Sequence, residues 1–244
     1  MQLLDGAVEM RGSQILNMRS YEMVVCRRRL IAAAIILAWL AVIPLIVALS
    51  TCSWAVIDFL NTDFEQVNVQ LGTWGEWRTR TTGSKELVEW IPHFPTPPAH
   101  ILRLADADLK HFHRAQAVFG VISLVFLLCT NALALYTFYH HRYIFKRLTG
   151  FLYIVTGMCI VATVEIVNKS VDEWKVEVAH NSKFGDWEYD AVRSYGYSAY
   201  LAFFVVGVCI FATIAFFWAS HKQKGDNAAT MDMEIEDRPM HIGR

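Results

Sequence analysis

Hydrophobic residues along this chain are gathered into four blocks, running from Leu30 to Cys52, Ala115 to Tyr139, Phe151 to Val167 and Tyr200 to Ser220. Each is uncharged or nearly so, and about 20 helical residues cross the roughly 30 Å of hydrocarbon in a bilayer. The pattern predicts four membrane-spanning helices at about 30–52, 115–139, 149–167 and 199–220. Pro44 inside the first is compatible with this, because neighbouring groups in a membrane bundle can satisfy the carbonyl it frees. The third is the weakest, being shorter and carrying Glu165. A cleaved signal peptide competes for the first block, since Ala48 and Ser50 precede Thr51 with suitably small side chains. The long polar stretch before the block and its length both favour a retained span.

The blocks divide the chain into a cytoplasmic N-terminal segment (1–29), a four-helix membrane domain (30–220) with two outside loops (53–114 and 168–198), and a polar tail (221–244). Orientation follows from the short flanks, because lysine and arginine near span ends are retained on the cytoplasmic side. Arg27, Arg28 and Arg29 abut the first block, Arg142, Lys146 and Arg147 fill the turn between the second and third, and Lys222 and Lys224 follow the fourth. Four spans put all three clusters on one side, with both termini cytoplasmic. The tail is acidic, lacks an apolar period and is expected to be disordered.

The long loop has a pattern of its own. Val67, Val69 and Leu71 alternate with Asn68 and Gln70, the period of a half-buried strand, and the run continues through Trp74 and Trp77. Thr81 to Ser84 supply turn chemistry, after which Leu87, Val88 and Trp90 predict a returning strand. Pro92, Pro95, Pro97 and Pro98 predict an irregular cap, and Ile101, Leu104, Ala105, Leu109 and Phe112 an amphipathic helix running into the second span. The fold class is therefore a mainly α membrane protein, a four-transmembrane-helix bundle with a small antiparallel β-sheet in the first extracellular loop.

Composition sharpens the exclusions. The chain is 55% hydrophobic and only 18% charged, away from the balance of a soluble enzyme. A formal charge of -1 provides no basic field for a polyanion, so nucleic acid is not an expected partner. Five cysteines are too few for a disulfide scaffold, and Ser53 to Arg114 contains none of them.

Trp54 just past the first span, the Gly72-Thr73-Trp74 core of the loop and Arg114 at the base of the second span resemble the signature of the claudin, PMP22 and calcium-channel-gamma tetraspan superfamily. The stretch Leu71 to Arg80, Phe94-Pro95-Thr96-Pro97-Pro98 and Leu102-Arg103-Leu104 look most like the nematode claudin-like (Clc-like) family. The resemblance implies a junctional or channel-associated membrane protein. In claudins two loop cysteines form a disulfide that pins the strands; this loop has none, and Trp77 and Trp90, near where those cysteines would fall, are expected to pack across the strands instead. The terminal Ile242-Gly243-Arg244 does not suit the PDZ groove that many claudins engage.

No catalytic constellation has credible spacing, and neither an enzyme, a cofactor nor a metal is expected. His111 and His113 are two residues apart, which puts them on different faces of a helix. Glu165 is expected to be an interface-exposed carboxylate near the outer end of its span. Asn168-Lys169-Ser170 is a glycosylation sequon on the outer side, and Cys26 beside Arg27 to Arg29 a candidate for palmitoylation. Asp63, Glu65 and Glu76, with Glu86 and Glu89, are candidate contact charges or liners of a cation path.

Two functions fit. One is a structural role in cell–cell contact or epithelial barrier organisation at the plasma membrane, with the lipid bilayer and further copies of the chain, in cis and trans, as partners. The other is an auxiliary, gamma-like subunit regulating a larger channel or receptor.

Overall fold

The computed structural model describes residues 25–60, 65–94, 110–139, 143–180 and 192–221. It contains the expected four long apolar helices and an antiparallel sheet. The helices are α1 (Val25–Ser50), α2 (Lys110–Tyr139), α3 (Tyr143–His180) and α4 (Tyr197–His221). The strands are β1 (Ala55–Leu60), β2 (Gln66–Leu71), β3 (Gly75–Thr82), β4 (Lys85–Pro92) and β5 (Val192–Tyr195), in the order β4-β3-β2-β1-β5.

Helix α1 is interrupted by a turn at Ala41. Pro44 accounts for it: without an N–H it leaves the Leu40 carbonyl four residues back without its helical donor. The next bond, Leu45 N–H to the Ala41 carbonyl, is stretched to 3.3 Å. On either side, Ala34, Ala38, Ala41 and Ala48 are fully buried, and Ala202, Ala212, Ala215 and Ala219 form the matching small-residue stripe of α4. Small side chains let helices approach closely in lipid, where packing rather than water drives association.

A seven-residue repeat of small polar residues runs along the buried faces of α2 and α3. It reads Gln116, Ser123, Thr130, Thr137 on α2 and Thr149, Thr156, Thr163, Ser170 on α3, all buried. Leu127 and Ala134 keep the same period on α2, and Tyr153, Ile160 and Val167 on α3. A strict heptad favours the left-handed crossing of a coiled-coil seam. The hydroxyls of Thr137, Thr149, Thr156 and Thr163 each donate to a carbonyl four residues back, leaving their methyl groups for packing. The Thr137 and Thr149 oxygens also approach across the seam at 3.1 Å, where one hydroxyl can turn its single proton from its own helix carbonyl to the other. Deeper in the bundle, the Asn131 amide donates to the Ala38 carbonyl at 3.0 Å and accepts from the Tyr153 hydroxyl at 2.9 Å, tying α1, α2 and α3 together.

Several features depart from the sequence reading: the run expected to continue from Val67 through Trp74 and Trp77 turns back at Gly72–Trp74 and becomes the antiparallel pair β2 and β3, β1 carries no strand in that reading, and Pro92, expected in the irregular cap, ends β4. Helix α3 continues to His180, so residues 168–180, expected as loop, are helical. Nothing there breaks a helix: Val167 and Val171 keep the buried face while Lys169, Asp172 and Glu173 are exposed. The sheet, expected from the first loop alone, takes its fifth strand from the second, with Ala55 opposite Tyr195 and Ile57 opposite Arg193. Four residues without alternation give no strand signal by themselves, and β5 forms because β1 offers it an edge. The amphipathic helix expected from about Ala99 lies mostly outside the described residues, α2 being described from Lys110.

Candidate functional site

The sheet meets the bundle at a buried junction built from the segments that flank its strands. Trp54, only 1% exposed, ends the turn between α1 and β1. Its N–H donates to the Leu71 carbonyl at 2.8 Å and its carbonyl accepts from Gly196 N–H at 3.1 Å. Ser198 N–H reaches the Ser53 carbonyl at 3.1 Å, and the Thr51 and Ser198 hydroxyls join at 2.7 Å. One turn thus binds β2 on one side and the entry to α4 on the other.

Gly72 and Thr73 form the second part. Both are buried, and Gly72 N–H closes the turn onto the Gly75 carbonyl at 3.0 Å. The Thr73 hydroxyl accepts from the Gln116 amide of α2 at 3.3 Å. Above it, His93 N–H donates to the Trp74 carbonyl at 2.9 Å, and the His93 ring stacks on His113 of α2 with centroids 3.6 Å apart. Burial pushes the His93 imidazole below its ordinary range, against the pull of Glu76 and the Thr73 carbonyl. Burial also raises the Cys52 thiol.

The signature residues therefore separate. Trp54 and Gly72 lie inside the junction, while Trp74 is exposed and meets Phe94 edge-on at 6.4 Å. Arg114 is exposed on α2 beside His113. Trp77 and Trp90 stand directly opposite each other on β3 and β4, ring centroids 4.9 Å apart, both partly exposed.

The candidate contact charges are not gathered. Glu65 accepts from the Thr82 hydroxyl at 2.6 Å, whereas Glu76 holds Arg78 at 2.5 Å at the other end of the same strand pair. Six residues of strand, about 20 Å, separate the two. Asp63 lies outside the described residues. Arg78 is itself buried, with Nε and Nη1 lacking partners.

Asn168 sits within α3, with its side chain engaged at both ends. Its oxygen accepts from Arg193 at 2.7 Å, and its nitrogen donates to Glu165 at 3.3 Å and to the Tyr195 hydroxyl at 3.4 Å. Arg193 also reaches Asp172 at 3.5 Å, so β5 is fastened to α3 through the sequon asparagine. At the opposite end of the bundle Cys26 is exposed beside Arg27, whose guanidinium lies over Trp218, while Arg28 lies over Phe138 and Arg147 donates to Ser220.

His93, Gln116 and Arg193 are structural contributors that the sequence reading passed over, and Thr73, named there within the loop core, gains its role through Gln116. Gln116 has a sequence signal, the heptad on α2; His93 and Arg193 acquire meaning only when the sheet is folded. Among the described residues no three His, Cys, Asp or Glu side chains converge on a metal-sized site.

What the arrangement presents outward is an edge. Among the described residues strand β4 has no neighbour beyond it in the sheet, and Leu87 and Val88 on its two faces are 61% and 58% exposed. Gly83, at φ +62°, heads the two-residue turn into β4, as a primed hairpin turn requires.

No curated protein sequence matches the chain. A family model described as PMP-22/EMP/MP20/Claudin tight junction matches residues 39–218, from the middle of α1 through the sheet to the last turns of α4. With four apolar helices, a sheet seated on one end of the bundle and a match over most of its length, the chain belongs to the PMP-22/EMP/MP20/claudin family.

Proposed function

We propose that this multi-pass membrane protein acts structurally at cell–cell contacts or in epithelial barriers, self-associating through its outer sheet, and that it is nearest to the claudin-like Clc-like group. In this reading the sheet faces outside at the plasma membrane and both termini are cytoplasmic. The gathering of Arg27, Arg28 and Arg147 at the end of the bundle away from the sheet supports that orientation.

The observation that carries the reading is the open β4 edge. A strand of eight residues that has no second neighbour among the described residues and carries exposed apolar side chains is a template for a further strand. Its sequence is self-complementary. The two-residue turn closes on the Thr82–Lys85 pair, so the alternation of an antiparallel ladder turns the N–H and C=O of Glu86, Val88 and Trp90 to the open side. Two antiparallel copies of β4 can then pair with Leu87 opposite Leu87 or with Val88 opposite Val88. The first places each Lys85 opposite Glu89 of the second copy, whereas the second places Leu87 opposite Glu89. The first register is favoured because opposite charges across strands stabilise a pair.

The test is expression of the tagged protein in cells that do not otherwise adhere. Enrichment where two expressing cells meet, with crosslinked multimers through β4, is expected. A uniform surface distribution together with one larger membrane protein co-purifying in fixed proportion would replace this reading with the auxiliary-subunit one.

A further inference from the structure

The His93–His113 stack joins the sheet to α2 by a contact that a proton would break. A carbonyl can only accept, so the 3.4 Å approach of His93 Nδ1 to the Thr73 carbonyl fixes the ring proton on Nδ1 and leaves Nε2 as a bare lone pair. That Nε2 is buried without a partner, and so is Nδ1 of His113. With the proton of neutral His113 on Nε2, both orphaned atoms are lone pairs, the less costly way to leave a buried nitrogen. A proton on either would create a buried N–H with no acceptor, and protons on both would set two cations face to face at 3.6 Å. The rings are within 23° of parallel, so their in-plane lone pairs do not converge and the pair is not a metal chelate.

We propose that the His93–His113 stack is an acid-opened latch, holding the outer sheet on α2 while both rings are neutral and releasing it when they take up protons. The inference is independent of which partner the sheet meets.

The groups around the stack set its response. From β3, Glu76 is the carboxylate that favours a charged His93, but its Oε1 already holds Arg78. From the turn, the Thr73 carbonyl is satisfied by the neutral tautomer. From α2, Gln116 is neutral and committed to the Thr73 hydroxyl, while Arg114, next to His113 in sequence, is exposed to solvent. Burial therefore decides the balance, and the His93 imidazole is depressed. The sign follows. A histidine whose folded value lies below its released value of about 6.5 contributes its full stabilisation above that pH and loses it as the pH falls. At pH 5 a ring barred from protonation while closed biases the latch open by up to roughly thirtyfold.

Hydrogen–deuterium exchange on the full-length protein in lipid nanodiscs, at pH 7.5 and 5.0, tests this. After correction for intrinsic exchange, amides around Thr73–Glu76 and Trp90–His93 should exchange about tenfold faster or more at pH 5.0, while the core of α4 stays unchanged. The double variant His93→Phe/His113→Phe keeps two stackable rings and should show no such rise. Equal protection of the wild-type junction at both pH values, or the same rise in the double variant, would overturn the proposal. Should the double variant fail to fold, the pH profile of wild-type junction exchange decides alone: protection that begins to fall near pH 6.5 and keeps falling toward pH 5 supports the latch, and a pH-independent junction defeats it.

Discussion

Gly72 and Cys52 are packed so closely that no side chain fits between them. A Cβ on Gly72 would stand 2.6 Å from the Cys52 Cα and 2.7 Å from its sulfur, with the Gly75 carbonyl equally near on the other side. The glycine of the tryptophan-bearing turn is thus required by close approach of the α1–β1 connection. Cys52, the one cysteine near this end of the molecule, serves as a small packing group, its thiol raised by burial.

Gly72→Ala should accordingly destabilise the sheet, because the clash is with backbone on two sides and cannot be relieved by turning a side chain. Overpacking of this kind costs about 1–3 kcal/mol. Thermal unfolding of the purified protein, followed by tryptophan fluorescence, should show a lower midpoint for Gly72→Ala. Cys52→Ala, which only removes the sulfur, should fall much less.

Trp77 and Trp90 stand in a register that suits a covalent link. With Thr82–Lys85 closing the hairpin, Trp77–Trp90 is a non-hydrogen-bonded pair, for which Cα atoms lie about 4.5 Å apart, inside the range a disulfide spans. The double variant Trp77→Cys/Trp90→Cys should oxidise spontaneously, losing two hydrogens by intact-mass measurement. Trp77→Ala alone forfeits a cross-strand aromatic contact worth about 0.5–1.5 kcal/mol. The oxidised pair should therefore resist proteolysis of the sheet better than Trp77→Ala does. A double variant that stays reduced in air would contradict the register.

Within the bundle, Asn131 depends on Tyr153 for its oxygen and Ala38 depends on Asn131 for an amide donor. Tyr153→Phe removes one bond and keeps the ring that packs 5.9 Å from Phe216. Interhelical hydrogen bonds in membranes contribute about 0.6 kcal/mol on average and rarely above ~1.7. Tyr153→Phe should cost an amount in that range, and Asn131→Leu more, since it strands two partners and changes shape. Unfolding in mixed micelles measures both.

These contrasts show which parts of the molecule a sequence exposes. The four helices are legible because lipid offers no partner for backbone polar groups, so each crossing must be long, apolar and continuous. The β3–β4 hairpin is legible because alternation and a Gly-Ser turn are local signals. Strand β5 is not: Val192–Tyr195 pairs only because β1 is already in place, and Arg193 finds Asn168 only across the gap between loop and helix. The same holds at the junction, where Gly72 carries a sequence signal through the turn it occupies and His93 carries none. Its partner is 20 residues away, and residues 95–109 between them lie outside the described residues. The heptad of Gln116, Ser123, Thr130 and Thr137 is written in the sequence, but beneath a uniformly apolar background its period is easily passed over.

The charge pattern of β4 makes the sharpest demand on the assembly. If two copies pair antiparallel about Leu87, each dimer holds two Lys85–Glu89 contacts on one face, and reversing either residue turns both into like-charge contacts. Lys85→Glu and Glu89→Lys should each weaken self-association several-fold, by crosslinking or by single-molecule photobleaching in vesicles; because Glu89 also stands opposite the buried Arg78 on β3, circular dichroism of Glu89→Lys checks that its sheet is retained. The double variant Lys85→Glu/Glu89→Lys restores opposite charges in the same register and should recover association. Pairing centred on Val88 predicts something different: Glu89 then faces Leu87, so Glu89→Lys would be nearly neutral and the double variant would show no rescue. A loss in both single variants without recovery in the double would mean that these charges meet a partner other than a second copy of β4.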